Sequence, residues 1–203
     1  MPVPLVLASQ SPARLATLRS AGVEPRVIVS HVDEDAVLAA LPHGTSPADA
    51  VLALARAKAE EVVKHHDVRA IVLGCDSMLE FDGEILGKPG DADTAIARWR
   101  AMRGRTGVLH TGHWLVDARS AAQAVGATAS TVVHFADLSD TEIAAYVATG
   151  EPLHVAGAFT VDGLGGPYVE SIEGDFHAVV GVSLPLLRHL LAQVSVAFHE
   201  LRA

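Results

Sequence analysis

Ser11-Pro12 and Ser46-Pro47 each open a helical stretch behind a β-type run, and this strand-then-helix order narrows the available folds more than any other feature. Serine at an N-cap accepts from a backbone N–H that the first turn leaves unpaired, and proline at the first helical position has no N–H to lose. Ahead of the first pair, Val3–Ala8 is an apolar run bounded by a turn signal. It reads as a buried strand, followed by a helix from Pro12 to about Ser20 with Gly22 beyond it. Arg26–Val32 reads as a second strand ending in the acidic run Asp33-Glu34-Asp35. The second Ser-Pro pair, with Asp49 in the first turn, opens a helix to about Lys64 whose apolar face includes Val51, Leu52, Ala55, Ala59 and Val62.

The same grammar continues downstream. Ala70–Cys75 is a third strand, and Asp82-Gly83 is a two-residue hairpin signal. That turn pairs Phe81 with Glu84, and extending the ladder puts Ser77 opposite Lys88 and Lys88 beside Asp76. Asp91 starts a helix with Ile96, Trp99 and Met102 on one face, ending at Gly104. Val108–Asp117 and Ala127–Phe135 are long strands joined by a small-residue stretch, and Ser139-Asp140-Thr141-Glu142 is a capping box for a short helix that stops at Gly150. Ala158–Val161, the glycine-rich Gly163–Gly166, a hairpin about Glu173-Gly174-Asp175 and a helix from about Pro185 complete the pattern. Without a linker, repeat or low-complexity segment, these elements predict one α/β domain with a mixed sheet.

Composition excludes several partners. A formal net charge of -9 with no basic stripe argues against long nucleic acid held by its phosphates, though a few local cations suffice for a small anion. No apolar run approaches the roughly 18 residues of a membrane helix, and no signal peptide is apparent. With Cys75 as the single cysteine, no internal disulfide forms, so a reducing, cytoplasmic setting is expected. The eleven histidines lack metal-site spacing, and His110 and His113, three apart on a strand, point to opposite faces.

Arg14 stands out because a cation in the first turn of a helix opposes the helix dipole. A phosphate over the free N–H groups of that turn makes the arginine a second clamp on the same anion, with Ser9 and Ser11 as hydroxyl donors. The plainer reading is a surface arginine tolerated at a few tenths of a kcal/mol. Asp76 beside Lys88 serves either as metal ligand or general base with a phosphate-holding lysine, or as a structural ion pair. Lys58 lies at the margin of an apolar helix face, either snorkelling to water or reaching a cleft. Glu34 is a solvated acid or a metal or substrate contact. Gly163–Gly166 lacks the lysine of a P-loop and reads as a backbone turn, beside which Asp162 is placed to line a pocket.

Taken together, "LASQSPARL", "LARAKA", "GCDSMLEFDGEILGKP", "GRTGVLHTGH", "EPLHVAGAFTVDGLGG" and "FHAVVGVSLP" resemble, in order and from about Leu5 to Leu187, the Maf family of nucleoside triphosphate pyrophosphatases. The resemblance implies a single domain over residues 1–203: an elongated mixed β-sheet with helices on both sides and two lobes around a central cleft, related to the inosine triphosphatase fold. It implies a homodimer, and hydrolysis of the α-β phosphoanhydride of a nucleoside triphosphate to the monophosphate and pyrophosphate with a divalent metal, Mg2+ or Mn2+. Position by position, Ser9 and Arg14 fall on the family's phosphate-binding motif, Lys58 and Lys88 on its cleft lysines, and Glu34 on its acidic contact. Asp76 falls on its proposed catalytic base and, with Glu34, would hold the metal.

The sequence departs from the family at Ala13, Cys75, Ser77, His154-Val155 and Asp162. Asp162 stands where the thymidine and uridine triphosphate branch has glutamine; a carboxylate only accepts hydrogen bonds, so it favours a base that donates them. Two rival readings are a non-catalytic nucleotide-binding regulator of cell division and septum formation, and a phosphatase that removes only the terminal phosphate.

Overall fold

The structure is a computed structural model that describes residues 2–119 and 123–202. A mixed sheet is its framework. In order across the sheet run β2 (Arg26–Val27), β1 (Leu5–Leu7), β3 (Ile71–Phe81), β5 (Thr106–Asp117), β6 (Gln123–Phe135) and β7 (Val169–Glu173), with β4 (Glu84–Leu86) paired to β3. β1 is parallel to both β2 and β3, whereas β3–β4 and β6–β7 are antiparallel, as the interleaved helix and hairpin signals require. The helices are α1 (Pro12–Ser20), α2 (Glu34–Ala39), α3 (Pro47–His65), α4 (Ala92–Met102), α5 (Asp140–Ala148), α6 (Phe176–Val180) and α7 (Leu184–Gln193). No helix among the described residues is long and apolar enough to cross a membrane.

The chain divides into two compact units, one of Met1–Asp76, Thr111–Ala129 and Gly181–Ala203, the other of Ser77–His110 and Ser130–Val180. In the first unit, strand alternation sorts the core onto two faces. Leu5, Leu7, Ile71, Leu73 and Cys75 pack with Leu18 of α1 and Leu187, Leu190 and Leu191 of α7. Val6, Ala8, Val72 and Val116 pack with Ala59 and Val62 of α3. Helices therefore cover both faces, which explains why β1 reads as a continuous apolar run rather than an alternating one.

The second unit is built around Trp99, which is fully buried. Its indole Nε1 donates to the Ala158 carbonyl at 2.8 Å, and Phe135 and Tyr146 meet its ring edge-on at centroid distances of 5.6 Å. Edge-to-face packing of this kind aligns ring quadrupoles favourably.

Both Ser-Pro helix starts are as expected: the Oγ atoms of Ser11 and Ser46 accept the amides of Arg14 and Asp49. The Ser139–Glu142 capping box is also complete. Four local expectations change. First, the extended run from Arg26 ends at Val27, because its partner β1 is only three residues long and offers nothing further to pair with; Asp33 becomes an N-cap and Glu34 begins α2. Second, the Asp82-Gly83 turn forms, with both residues at positive φ, and pairs Phe81 with Glu84, but the ladder stops at Leu79–Leu86. The predicted pairing of Ser77 with Lys88 is absent: the Gly87 carbonyl accepts from Gly157 N and Arg98 Nη1, and Pro89 has no N–H to give a ladder.

Third, Ala158–Val161 is not a strand, since Gly157 and Ala158 have φ of 69° and 63°. Fourth, Glu173-Gly174-Asp175 makes no hairpin. β7 pairs back onto β6, and Gly174, at φ 132°, turns the chain into α6. The strands Thr106–Asp117 and Gln123–Phe135 are longer than expected, and residues 120–122 of their small-residue connection lie outside the described residues.

Candidate active site

Gly74 explains how the first unit assembles its charged cluster. A Cβ there would overlap the Ala55 carbonyl oxygen and stand 2.9 Å from Ala59 N, so β3 and α3 approach as closely as they do only because this residue is glycine. Two residues on, Asp76 points to the same face of β3, and on α3 Lys58 adjoins Ala59. The two side chains meet: Lys58 Nζ lies 2.5 Å from Asp76 Oδ1 and 2.7 Å from Glu34 Oε1. Lys58 and Asp76 are only 8% and 7% exposed, so each desolvated charge needs the other, while Glu34 reaches in from the exposed start of α2.

The β1–α1 loop supplies the second part of the cluster. Ser9, 7% exposed, follows β1 directly, and its Oγ accepts from Ser11 N at 3.2 Å and from Arg14 Nη1 at 3.0 Å. Arg14 Nε donates to the Gly181 carbonyl at 2.8 Å. The guanidinium is thus turned back onto the loop ahead of its helix instead of lying along the helix surface. Cys75, between the two parts, is fully buried, and burial pushes its thiol up to about 12 against the pull of Arg14, with Asp76 and Lys58 adding smaller effects. It is inert as a nucleophile. Asp76 and its partner Lys58 lie just past the end of the parallel β1–β3 pairing, and Ser9 with Arg14 just past the end of β1, on the side where α/β sheets carry their ligands.

The structure therefore brings together Ser9, Ser11, Arg14, Glu34, Lys58 and Asp76 in one unit. Lys88 and Asp162 belong to the other, each exposed on an irregular segment. The Lys88 segment is braced through Gly87 and by Gly90 N on the Leu153 carbonyl. Among the described residues no cluster of three or more His, Cys, Asp or Glu side chains has metal-site geometry, and His110 and His113 make separate hydrogen bonds.

Glu151 opens the quoted "EPLHVAGAFTVDGLGG" stretch, but the sequence alone gives it no role. Its carboxylate accepts from Tyr146 Oη, Thr160 Oγ1, Leu164 N and Gly165 N at 2.5–3.0 Å, which ties down both sides of Asp162. Burial pushes this carboxyl up, but the donors outweigh it and hold it below its ordinary value of 4.5. A depressed pKa stabilises the fold above the unfolded value and is lost as pH falls from there through the folded one. Protection of the Leu164 and Gly165 amides, measured relative to their intrinsic exchange rates, is expected to hold down to about pH 4.5 and to fall on further acidification. Glu151→Gln, which offers an N–H where an acceptor is needed, should remove that protection at every pH. An acid profile unchanged by that substitution would contradict the assignment.

A mixed sheet with a strand-to-helix loop carrying Ser9 and Arg14, and a buried lysine–carboxylate pair in the same unit, defines an α/β protein with a polar cluster in its first unit. Over residues 4–194 the sequence matches the family described as Maf-like protein, and the chain belongs to that family. Relatives named nucleoside triphosphate pyrophosphatase include one from Salinispora tropica, 59% identical over 201 residues with 97% of this chain and 86% of the relative covered. Another, from Streptomyces coelicolor, is 58% identical over 200 residues and covers 98% and 94%. A crystal structure of a nucleoside-triphosphatase / dITP/XTP pyrophosphatase from Mycobacterium abscessus is 16% identical, covers 95% of this chain and 97% of its own, and has a TM-score of 0.42.

Proposed function

We propose that this protein is a nucleoside triphosphate pyrophosphatase: water attacks the α-phosphorus, the bond between that phosphorus and the α-β bridging oxygen breaks, and monophosphate and pyrophosphate leave. The observation that carries the reading is the buried Lys58–Asp76 pair beside the Ser9–Arg14 loop, in a chain whose relatives bear that name. A carboxylate of fixed orientation at a phosphate site can accept the proton of an attacking water, and this is the role we assign to Asp76. Arg14 and Ser9, with the N–H groups at the start of α1, bind phosphate oxygens, and Lys58 neutralises charge as pyrophosphate departs. Lys88 is assigned to the phosphates and Asp162 to the edge of the base.

Glu34 and Asp76 both direct oxygens at the Lys58 ammonium, so they make a hard, anionic donor pair that already converges on a cation. Two carboxylates completed by substrate phosphates suit Mg2+ or Mn2+, and these residues would hold such an ion. It would offset the polyanion's charge, which the cluster's two cations and two carboxylates by themselves leave unmet. We extend the reading to a cytoplasmic homodimer, to be checked by light scattering of the eluted protein.

Product analysis tests the proposal. Incubation of the purified protein with Mg2+ and a panel of common and modified nucleoside triphosphates is expected to release pyrophosphate and monophosphate in equal amounts. Orthophosphate as the product would make it a phosphatase, and binding without turnover would favour the regulator of cell division.

A further inference from the structure

Arg14 is held by more than its own loop. Its Nε–H donates to the carbonyl of Gly181, a residue at φ 128° where a Cβ would stand 3.1 Å from Arg14 Nε and 3.2 Å from Arg14 Cγ. A side chain at 181 would be strained and would press on the arginine it now seats. Two residues later, the amide of Ser183, the N-cap of α7, donates to Nε2 of His113 at 2.8 Å. His113 is fully buried in β5, and its Nδ1 lies 3.0 Å from the Thr111 carbonyl. A carbonyl accepts only, so Nδ1 carries the proton and Nε2 is the bare acceptor. One tautomer thus fixes the Gly181–Ser183 turn, the turn's carbonyl fixes Arg14 Nε, and Ser9 Oγ fixes Nη1.

We infer that His113 and Gly181 are positioning residues that orient the Arg14 guanidinium for phosphate. This rests on the reading of Arg14 as a phosphate ligand. Two-point fixation at Nε and Nη1 sets the plane of the guanidinium, which a bidentate donor must present correctly to an oxyanion. A tilt of that plane weakens phosphate binding without removing the charge.

The test measures inorganic pyrophosphate binding by calorimetry with Mg2+ present, in single and paired substitutions. Arg14→Ala is expected to weaken binding. His113→Leu, which keeps bulk but loses the acceptor, should weaken it about tenfold in the native background and less than about twofold when Arg14 is already alanine, as coupled residues do. His113→Gln, whose Oε1 can take the Ser183 amide, should restore most of the loss. Gly181→Ala should reproduce the Arg14-dependent loss, and serves if His113→Leu does not fold. Equal losses in both backgrounds, or no loss where Arg14→Ala does weaken binding, would overturn the inference and leave the phosphate reading standing. No effect of Arg14→Ala would overturn both.

Discussion

Replacing Asp76 with asparagine is expected to slow pyrophosphate release by roughly 10²- to 10⁴-fold, the range that loss of a positioned general base produces. Asparagine is close to isosteric and its Oδ1 can still accept from Lys58 Nζ, while Glu34 remains as that lysine's counter-charge. The variant should therefore fold and still bind nucleotide, which separates a chemical role from a structural one. Steady-state assay of pyrophosphate, with nucleotide binding measured on the same preparation, decides the matter. A turnover rate within threefold of the native protein's would remove Asp76 from the chemistry.

Lys58→Met is expected to be the most damaging single change to stability in the cluster. It leaves the Asp76 carboxylate, 7% exposed, without its counter-ion. Breaking one side of a buried pair typically costs about 3–5 kcal/mol, because an uncompensated charge stays desolvated. Removing both sides costs much less, so the double variant Lys58→Met/Asp76→Asn should regain most of the loss in urea unfolding. Equal destabilisation in the single and double variants would show that the unpaired Asp76 carboxylate is not the source of the loss. Since a buried ion pair contributes little net stability over an apolar one, its presence midway along β3, against the largely apolar buried face of α3, favours a functional origin.

The sequence was legible wherever the determinant was local. Ser11-Pro12, Ser46-Pro47, the Ser139–Glu142 box and Asp82-Gly83 each dictate a cap or turn within four residues of chain, and each formed. Failures came where a distant partner decides. Arg26–Val32 has strand-type residues throughout, but β1 is too short to pair most of them. Ser77 and Lys88 are opposite by arithmetic, but the Gly87 carbonyl is claimed by Gly157 and Arg98. Glu151, Gly181 and His113 lie inside the quoted motifs, but nothing local gives them a role, since their partners lie at Thr160–Gly165, Arg14 and Ser183.

By itself, then, the sequence determined the alternation of strands and helices, the two-faced burial of β1, and the identity of the ionisable residues near the first strand-to-helix loop. Capping, turn and alternation rules act over a few bonds and need no knowledge of the rest of the chain. Only the tertiary structure decided that Lys58 is paired with both Asp76 and Glu34, and that Arg14 is seated by a turn 167 residues away. Those contacts depend on how closely β3 and α3 approach at Gly74, and on which backbone carbonyls remain after the sheet and helices have taken theirs.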